Sequence, residues 1–101
     1  MPVICVEQGR TLIARLVGEI DHHAAKEIME ELAEQIDAAL PECLVLELSE
    51  VTFMDSSGIA VLLNAWRRMG QLEGTVEVRK VPPQAGKVLQ AAGLNRLLKF
   101  I

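Results

Sequence analysis

The chain contains 101 residues, the size of a single domain, and this length leaves no room for separate catalytic and cofactor domains. Half of the residues are hydrophobic and 24% are charged, a balance typical of a globular domain rather than of a disordered chain. The formal net charge of −4 and the aromatic content of 3% argue against a nucleic-acid partner, because such surfaces need clustered positive charge and stacking side chains.

The first segments of the chain predict a β-hairpin. Val3–Glu7 and Thr11–Val17 are rich in Val, Ile and Leu, as strands are, and Gly9 lies in the short connection between them. Gly18 follows the second run and predicts the end of that strand.

The segment from His22 to Leu40 predicts an amphipathic helix, because its apolar residues recur at three- and four-residue steps with acidic residues between them. The apolar stripe consists of Ala25, Ile28, Met29, Leu32, Ile36 and Ala39. Asp21 predicts the N-cap, since its carboxylate can accept the free N–H groups of the first helical turn. Pro41 predicts the end of the helix.

The remainder of the chain alternates predicted strands and helices. A strand at Cys43–Leu48 is followed by a helix that starts at Asp55 or Ser56 and is capped by Gly70. A strand at Thr75–Val81 precedes a helix that runs from Pro82-Pro83 to about Ala92 and is ended by Gly93. The last predicted element is a short strand at Leu97–Ile101. The predicted apolar side of the second helix consists of Ile59, Leu62, Leu63, Trp66 and Met69, and that of the third of Val88, Leu89 and Ala92.

The resulting order, β-β-α-β-α-β-α-β, indicates an α/β fold with parallel strands joined by helices. Apolar and polar residues alternate along the strands, and the faces expected to be buried carry Leu12, Ala14, Leu16, Leu44, Leu46, Leu48, Val76 and Val78. A sheet covered on both faces would be apolar on both, so this alternation predicts helices mostly on one face. We therefore expect one domain over residues 1–101, with a four- to five-stranded mixed sheet.

The cysteines and the apolar runs bear on the compartment. Cys5 and Cys43 form no Cys-x-x-Cys pair or disulfide framework, which favours buried thiols in a reducing cytoplasm. The longest apolar run, Ile59–Leu63, is far shorter than the roughly 20 residues of a membrane span, and the N-terminal residues show no signal-peptide pattern. The sequence predicts a soluble cytoplasmic protein without membrane insertion.

The segment Val51–Gly58 joins a predicted strand to a predicted helix and ends in Asp55, Ser56, Ser57 and Gly58. Asp and Ser are preferred N-cap residues, so helix capping explains them by itself. The same geometry suits a second role, because a helix N-terminus offers free N–H groups and a positive dipole end that can hold a phosphate. A phosphoryl group on a serine there adds about −1.5 to −2 charges at pH 7 and, beside Asp55, would repel a partner shaped for a neutral hydroxyl.

The segment Asp21-His22-His23 permits three interpretations. Metal binding is disfavoured, because adjacent histidines on a helix do not face one another and no second pair at ligand spacing occurs. A match to the Asp-His-His phosphoesterase signature lacks the further metal-binding aspartates and the longer chain of those enzymes. The favoured interpretation is that Asp21 caps the helix and that some of these side chains face a partner.

A Ser–His–Asp hydrolase is the enzymatic alternative, with Ser56 or Ser57 as nucleophile, His22 or His23 as base and Asp21 or Asp55 as the orienting acid. The Gly-x-Ser-x-Gly elbow that would support it is missing.

A further open question concerns the second helix. We interpret Trp66 as a core residue and Arg67-Arg68 as solvent-exposed charges. Alternatively, if the two arginines are exposed beside Ser56, they could contact an acidic surface of a partner protein.

Two segments taken together, Gly-Glu-Ile-Asp-His-His at 18–23 and Phe-Met-Asp-Ser-Ser-Gly-Ile at 53–59, resemble the STAS domain of anti-sigma factor antagonists of sporulation and general stress. The resemblance runs from about Val3 to Phe100 and includes Ala-Gly-Leu at 92–94 before a Leu-Leu-Lys-Phe ending. It implies the STAS fold for nearly the whole chain.

The resemblance implies a partner-switching mechanism. The unphosphorylated antagonist binds an anti-sigma factor, which then releases its sigma factor. The anti-sigma factor is also a serine kinase that uses ATP and Mg²⁺ to phosphorylate the first serine of the motif, here Ser56, and a metal-dependent serine phosphatase reverses the step. Asp21 matches a position at the contact with the anti-sigma factor, Asp55 flanks the acceptor, Ser57 supports the turn and Gly58 allows close approach. The protein would then be a substrate and a binding module, without catalytic residues, cofactor or metal.

STAS domains also serve as adaptor subunits in transporters, lipid-trafficking complexes and stressosomes. Those versions often lack the phosphoacceptor serine, which this chain retains as Ser56. An adaptor without a serine switch is therefore the alternative function.

Overall fold

The computed structural model describes residues 2–101. Within them, strands and helices follow one another in the predicted order. The elements are β1 (Val3–Gln8), β2 (Thr11–Ile20), α1 (His22–Ala39), β3 (Cys43–Met54), α2 (Ser57–Gln71), β4 (Thr75–Arg79), α3 (Pro83–Ala91), a 3₁₀ helix (Leu94–Arg96) and β5 (Lys99–Phe100).

The five strands form one mixed sheet in the order β1-β2-β3-β4-β5, which confirms the predicted fold class. β1 and β2 are antiparallel and joined by a tight turn, where Gly9 adopts a φ of +62° that costs glycine little. The pairs β2–β3, β3–β4 and β4–β5 are parallel, as expected where a helix connects each pair.

One face of the sheet supplies the core. The strand residues buried there are those that the alternation predicts, namely Leu12, Ala14, Leu16, Leu44, Leu46, Leu48, Val76 and Val78. They form one cluster with residues from all three helices, so the helices cover this face. Full burial of each large aliphatic side chain contributes about 1.5–3 kcal/mol. The opposite face carries partly exposed ion pairs such as Arg15–Glu47 and Arg79–Glu77, which contribute little.

β2 and β3 extend further than the sequence predicts. β3 continues past Leu48 to Met54, and Gly18 does not end β2. Two register shifts interrupt β2, and Gly18 lies at the second of them with a φ of +91°. Such bulges bend a strand without ending its pairing, so β2 and β3 remain paired to Ile20 and Met54. This extension brings the ends of the two strands together.

The ends of α1 agree with the prediction. The Asp21 carboxylate accepts a hydrogen bond from the Ala24 N–H at 2.9 Å, which satisfies one free donor of the first turn. At the other end, Leu40 adopts a left-handed conformation with a φ of +46°, and Pro41 follows outside the helix. The four buried residues of the helix are Ala25, Ile28, Leu32 and Ile36, all members of the predicted stripe.

α2 differs from the prediction in two respects. The helix continues through Gly70 to Gln71, and the chain reverses at Glu73, whose φ is +58°. Its buried residues are Gly58, Val61, Leu62, Ala65 and Met69. The expected core position of Trp66 is wrong, because this side chain is 38% exposed. The reason is that α2 packs against α1 as well as the sheet, and the small Ala65 lies on the side facing α1.

The last third of the chain is more irregular than predicted. β4 ends at Arg79 rather than at Val81, because Lys80 adopts a φ of +55°. α3 ends at Ala91, and Ala92 is exposed rather than part of the apolar side. Gly93, with a φ of +76°, ends the helical segment as predicted. The residues after it form a 3₁₀ helix, which shortens β5 to two residues.

Two features bear on the expected compartment. Cys5 and Cys43 are free, half-buried thiols, and burial raises the pKa of Cys5 above the ordinary thiol value. Among residues 2–101, no helix combines the length and the apolar character needed to cross a membrane.

Candidate functional site

The candidate site lies where two neighbouring parallel strands end. Ile20 of β2 pairs with Met54 of β3, and the next residue of each strand is an aspartate, Asp21 or Asp55. The Asp55 N–H donates to the Ile20 carbonyl oxygen at 3.2 Å, so the two loops are joined by their backbones. The topology thus brings together the two acidic residues that the sequence singles out.

Both loops lead directly into helix N-termini. α1 begins at His22 and α2 at Ser57, so the free N–H groups and the positive dipole ends of two helices lie at this edge of the sheet. The hydrogen bond from Ala24 N–H lowers the pKa of Asp21 below its usual value of 3.8. Asp21 is therefore a fixed negative charge at neutral pH.

Asp55 caps α2. Its carboxylate accepts a hydrogen bond from the Ser57 N–H at 2.7 Å. The backbone completes the turn, since the Gly58 N–H donates to the Asp55 carbonyl at 3.0 Å and the Ile59 N–H to the Ser56 carbonyl at 3.1 Å. Of the two expected cap residues, Asp55 supplies the capping side chain.

Ser56 occupies the N-cap position but does not cap with its side chain. Its backbone has φ −61° and ψ −17°, the residue is exposed, and its hydroxyl makes no capping hydrogen bond to α2. Because Asp55 already satisfies the Ser57 N–H, the Ser56 hydroxyl is available for other chemistry. The site therefore presents an accessible nucleophilic oxygen at a helix N-terminus, beside a carboxylate.

Gly58 allows α2 to start close to the end of β3. A Cβ added at Gly58 would overlap the side chain of Met54, whose Cε would lie 2.9 Å away. Met54 is fully buried, so it has little room to move. The contact that requires glycine here is with a side chain rather than with the backbone.

Gln84 of α3 holds the end of β3 and is absent from the sequence-based candidates. The Met54 N–H donates to Gln84 Oε1 at 2.8 Å, and Gln84 Nε2 donates to the Met54 carbonyl at 2.7 Å. β4 pairs with β3 only as far as Glu47, so the Gln84 amide occupies the position of a strand neighbour further along. Only the position of Gln84 directly after Pro82-Pro83, in the first turn of α3, could have drawn attention to it.

Phe53 is a second residue that the sequence did not mark as functional. It precedes Met54 and is 43% exposed, although large apolar side chains are usually buried. Exposed aromatic side chains are a feature of surfaces that bind another protein, where they often act as anchors. The place of Phe53 two residues before the Asp-Ser-Ser-Gly motif was the available signal.

The histidines and the two aspartates are the residues on which the metal and hydrolase interpretations depend. His22 and His23 are exposed, and their rings meet edge to face with centroids 6.0 Å apart. Residues 2–101 contain no cluster of three or more His, Cys, Asp or Glu side chains that could hold a metal ion. The two carboxylates considered as the orienting acid already accept backbone hydrogen bonds, Asp21 from the Ala24 N–H and Asp55 from the Ser57 N–H.

The arginine pair of α2 does not lie beside Ser56. Arg67 follows Ser56 by three helical turns, roughly 16 Å at 1.5 Å per residue. Arg68 forms an ion pair with Asp37 of α1 at 3.0 Å. These arginines therefore belong to another part of the surface.

Comparison with known proteins agrees with this geometry. The sequence model of the STAS domain family matches residues 3–101 of this chain. The chain belongs to the STAS domain family. An anti-sigma F factor antagonist of Paenibacillus polymyxa is 36% identical over 87 residues, which cover 86% of this chain and 74% of that protein.

Two solved structures show the same STAS fold at 27% sequence identity. The anti-sigma factor antagonist SpoIIAA in its unphosphorylated form has a TM-score of 0.83 and is matched over 98% of this chain and 87% of that one. The Bacillus cell fate determinant SpoIIAA in the phosphorylated form has a TM-score of 0.74, with 98% and 90% covered. This STAS domain thus resembles a protein whose structure is known in both phosphorylation states.

Proposed function

We propose that this STAS protein is a cytoplasmic anti-sigma factor antagonist that is switched by phosphorylation of Ser56. The unphosphorylated form binds an anti-sigma factor, which then releases its sigma factor, and phosphorylation ends this binding. A metal-dependent serine phosphatase restores the binding form. The observation that carries the proposal is the free, exposed Ser56 hydroxyl at the start of α2, with the capping role taken by Asp55.

The chemical step is a phosphoryl transfer from Mg-ATP, catalysed by the kinase activity of the anti-sigma factor. The Ser56 Oγ forms a bond to the γ-phosphorus, the bond from that phosphorus to the β–γ bridging oxygen breaks, and ADP leaves. The serine proton passes to a base of the kinase. Because Ser56 makes no capping bond, the transfer does not first require the loss of a hydrogen bond within α2.

The energetic effect of the phosphoryl group follows from its surroundings. It adds about −1.5 to −2 charges next to Asp55 and near Asp21. The positive end of α2 stabilises this charge within the protein, so the fold tolerates it. A partner surface that accepts a neutral hydroxyl beside Asp55 faces a concentrated negative charge after the transfer. Like charges placed together at an interface cost several kcal/mol, enough to separate the partners.

Intact-mass spectrometry with site mapping tests the proposal. The protein is incubated with Mg-ATP and a candidate anti-sigma kinase from the same genome, and one phosphate on Ser56 is expected. Ser56→Ala should remain unmodified, whereas the matched control Ser57→Ala should be phosphorylated, because Asp55 caps the backbone N–H of residue 57 rather than its side chain.

Binding supplies the second arm of the test. Ser56→Ala should bind the anti-sigma factor as wild type does, and Ser56→Asp should bind at least about tenfold more weakly. Absence of phosphate with every such kinase, together with undiminished binding by Ser56→Asp, would contradict the switch. That outcome would favour the adaptor function.

A further inference from the structure

The C-terminal half of α2 borders an open groove of about 800 Å³ between this helix, β4 and the segment leading into β5. Trp66 and Gly70 line it from α2, and Val76 and Leu97 from the other side. Ser56 lies at the opposite end of α2, roughly 15 Å from Trp66 along the helix axis. The groove is therefore separate from the site around Ser56.

The groove combines exposed apolar side chains with a sheet edge. Trp66 is 38% exposed and Leu97 is 48% exposed, although both side chains are large and apolar. β5 pairs only with Glu77 and Val78 of β4, so the first part of β4, which also lines the groove, has no strand neighbour on the β5 side. Such an edge offers backbone hydrogen-bonding groups to an extended chain.

Gly70 keeps the α2 side of the groove open. A Cβ added at this position would meet nothing within 4 Å, so no contact within residues 2–101 requires a glycine. Its φ is not positive, and a glycine inside a helix costs about 1 kcal/mol relative to alanine. The missing side chain leaves space in which the backbone of a bound segment can approach α2 closely.

The charge of the groove indicates what it binds. The chain has a net charge of −4, yet the lining residues include Arg67 and Lys99, and neither belongs to an ion pair within residues 2–101. The carboxylate among the lining residues, Glu77, is held by Arg79 at 2.9 Å. Lys99 stands opposite Glu77 in the β4–β5 register, but Glu77 is engaged by Arg79, so the groove offers Arg67 and Lys99 beside an apolar surface on an otherwise acidic protein.

We propose that this groove binds an extended, acidic segment of a partner protein. An apolar side chain of the segment packs on Trp66 and Leu97, its carboxylates pair with Arg67 and Lys99, and its backbone runs past Gly70 along the edge of β4. This docking is independent of the state of Ser56, so the protein can hold a partner at the groove while the other end of α2 is switched.

Trp66 is the only tryptophan of the chain, so its fluorescence reports on the groove directly. The probe is a blocked peptide, Asp-Glu-Leu-Phe-Asp-Glu, titrated into the wild-type protein with excitation at a wavelength that phenylalanine does not absorb. A saturable change with a Kd below about 1 mM is expected. A peptide with lysines in place of its four acids, and one with serines in place of Leu and Phe, should each bind at least about tenfold more weakly.

Two sets of variants locate the binding. Gly70→Leu places a bulky side chain into the groove at a position whose Cβ meets nothing within 4 Å, and it should weaken binding of the acidic peptide at least about tenfold. The pair Arg67→Glu and Lys99→Glu should do the same. The control pair Lys26→Glu and Lys87→Glu changes the net charge equally at exposed positions of α1 and α3 and should leave binding unchanged.

Circular dichroism confirms that each variant is folded. The proposal is overturned if the wild type shows no saturable change, or if binding survives Gly70→Leu. It is also overturned if the lysine peptide binds as tightly as the acidic one. A shift of Trp66 emission with protein concentration alone would assign the groove to a second copy of this chain, and none of these outcomes depends on phosphorylation of Ser56.

Discussion

The side-chain amide of Gln84 forms two hydrogen bonds with the backbone of Met54, at 2.8 Å and 2.7 Å. These bonds connect the first turn of α3 to the last residue of β3, two residues before the Ser56 hydroxyl. Met54 also packs against Gly58, the second residue of α2. α3 thus fixes the segment that carries Ser56, although α3 contributes no residue to the Asp-Ser-Ser-Gly motif itself.

Replacement of Gln84 by leucine should loosen this segment. Gln84→Leu leaves the N–H and the carbonyl of the buried Met54 without their partners, which should lower the free energy of unfolding by about 1–3 kcal/mol. The amide hydrogen of Met54 should exchange with solvent at least about tenfold faster, as measured by NMR. Gln90→Leu, at an exposed position of the same helix, is the matched control. Equal exchange in both variants would show that Gln84 does not hold the strand.

Two glycines of α2 should respond oppositely to alanine. Gly58→Ala forces a methyl group onto the buried Met54 side chain and should destabilise the protein by about 1–3 kcal/mol. Gly70→Ala enters open space in the same helix and should stabilise it by up to about 1 kcal/mol. Thermal and denaturant unfolding of the two variants, side by side with wild type, measure the difference. A destabilised Gly70→Ala would show that the groove is narrower than described.

Much of the fold follows from local patterns in the sequence. The alternation at Leu12, Ala14 and Leu16 is a direct consequence of the two-residue period of a strand with one buried face, and it predicts the core face correctly. The capping role of Asp21 is equally local, because the donor it satisfies lies three residues away. The Asp-Ser-Ser-Gly motif was recognisable for the same reason, since all of its members lie within one turn.

The features that the sequence did not reveal depend on contacts between distant segments. Gln84 meets Met54 across 30 residues of chain, and no local pattern encodes this pairing. Glycine often marks the end of a strand, yet β2 continues beyond Gly18 because its residues up to Ile20 pair with β3. Trp66 fits the apolar stripe of an isolated helix, but packing of α2 against α1 turns other residues inward.

The exposed aromatic side chain of Phe53 should contribute to binding of the anti-sigma factor. Phe53→Ala should weaken the complex by about 1–2 kcal/mol, or roughly 5- to 30-fold, since aromatic side chains buried in an interface often carry much of the binding energy. Isothermal titration calorimetry with the unphosphorylated protein measures this change. Ile4→Ala, at a residue 49% exposed on β1, is the control and should bind as wild type does. Wild-type affinity of Phe53→Ala would place the interface elsewhere.

The cap formed by Asp21 should make the stability of α1 depend on pH in a defined direction. The hydrogen bond from Ala24 N–H lowers the pKa of Asp21 below 3.8, so the folded state binds its proton less readily than the unfolded state does. The stabilisation is therefore fully present above the unfolded-state pKa and is lost as the pH falls through the lowered folded-state value.

Asp21→Ala removes the stabilisation of α1 by the Asp21 carboxylate. The difference between this variant and wild type separates that stabilisation from the titration of the other carboxylates. At pH 7 the variant should unfold at a lower temperature than wild type, and the N–H groups of the first turn of α1 should exchange faster. The difference in Tm should shrink as the pH falls below about 4, because Asp21 then takes up a proton first in the unfolded state and, at lower pH, in the folded state. A difference that stays constant from pH 7 to pH 2.5 would mean that the charge of Asp21 does not stabilise the helix.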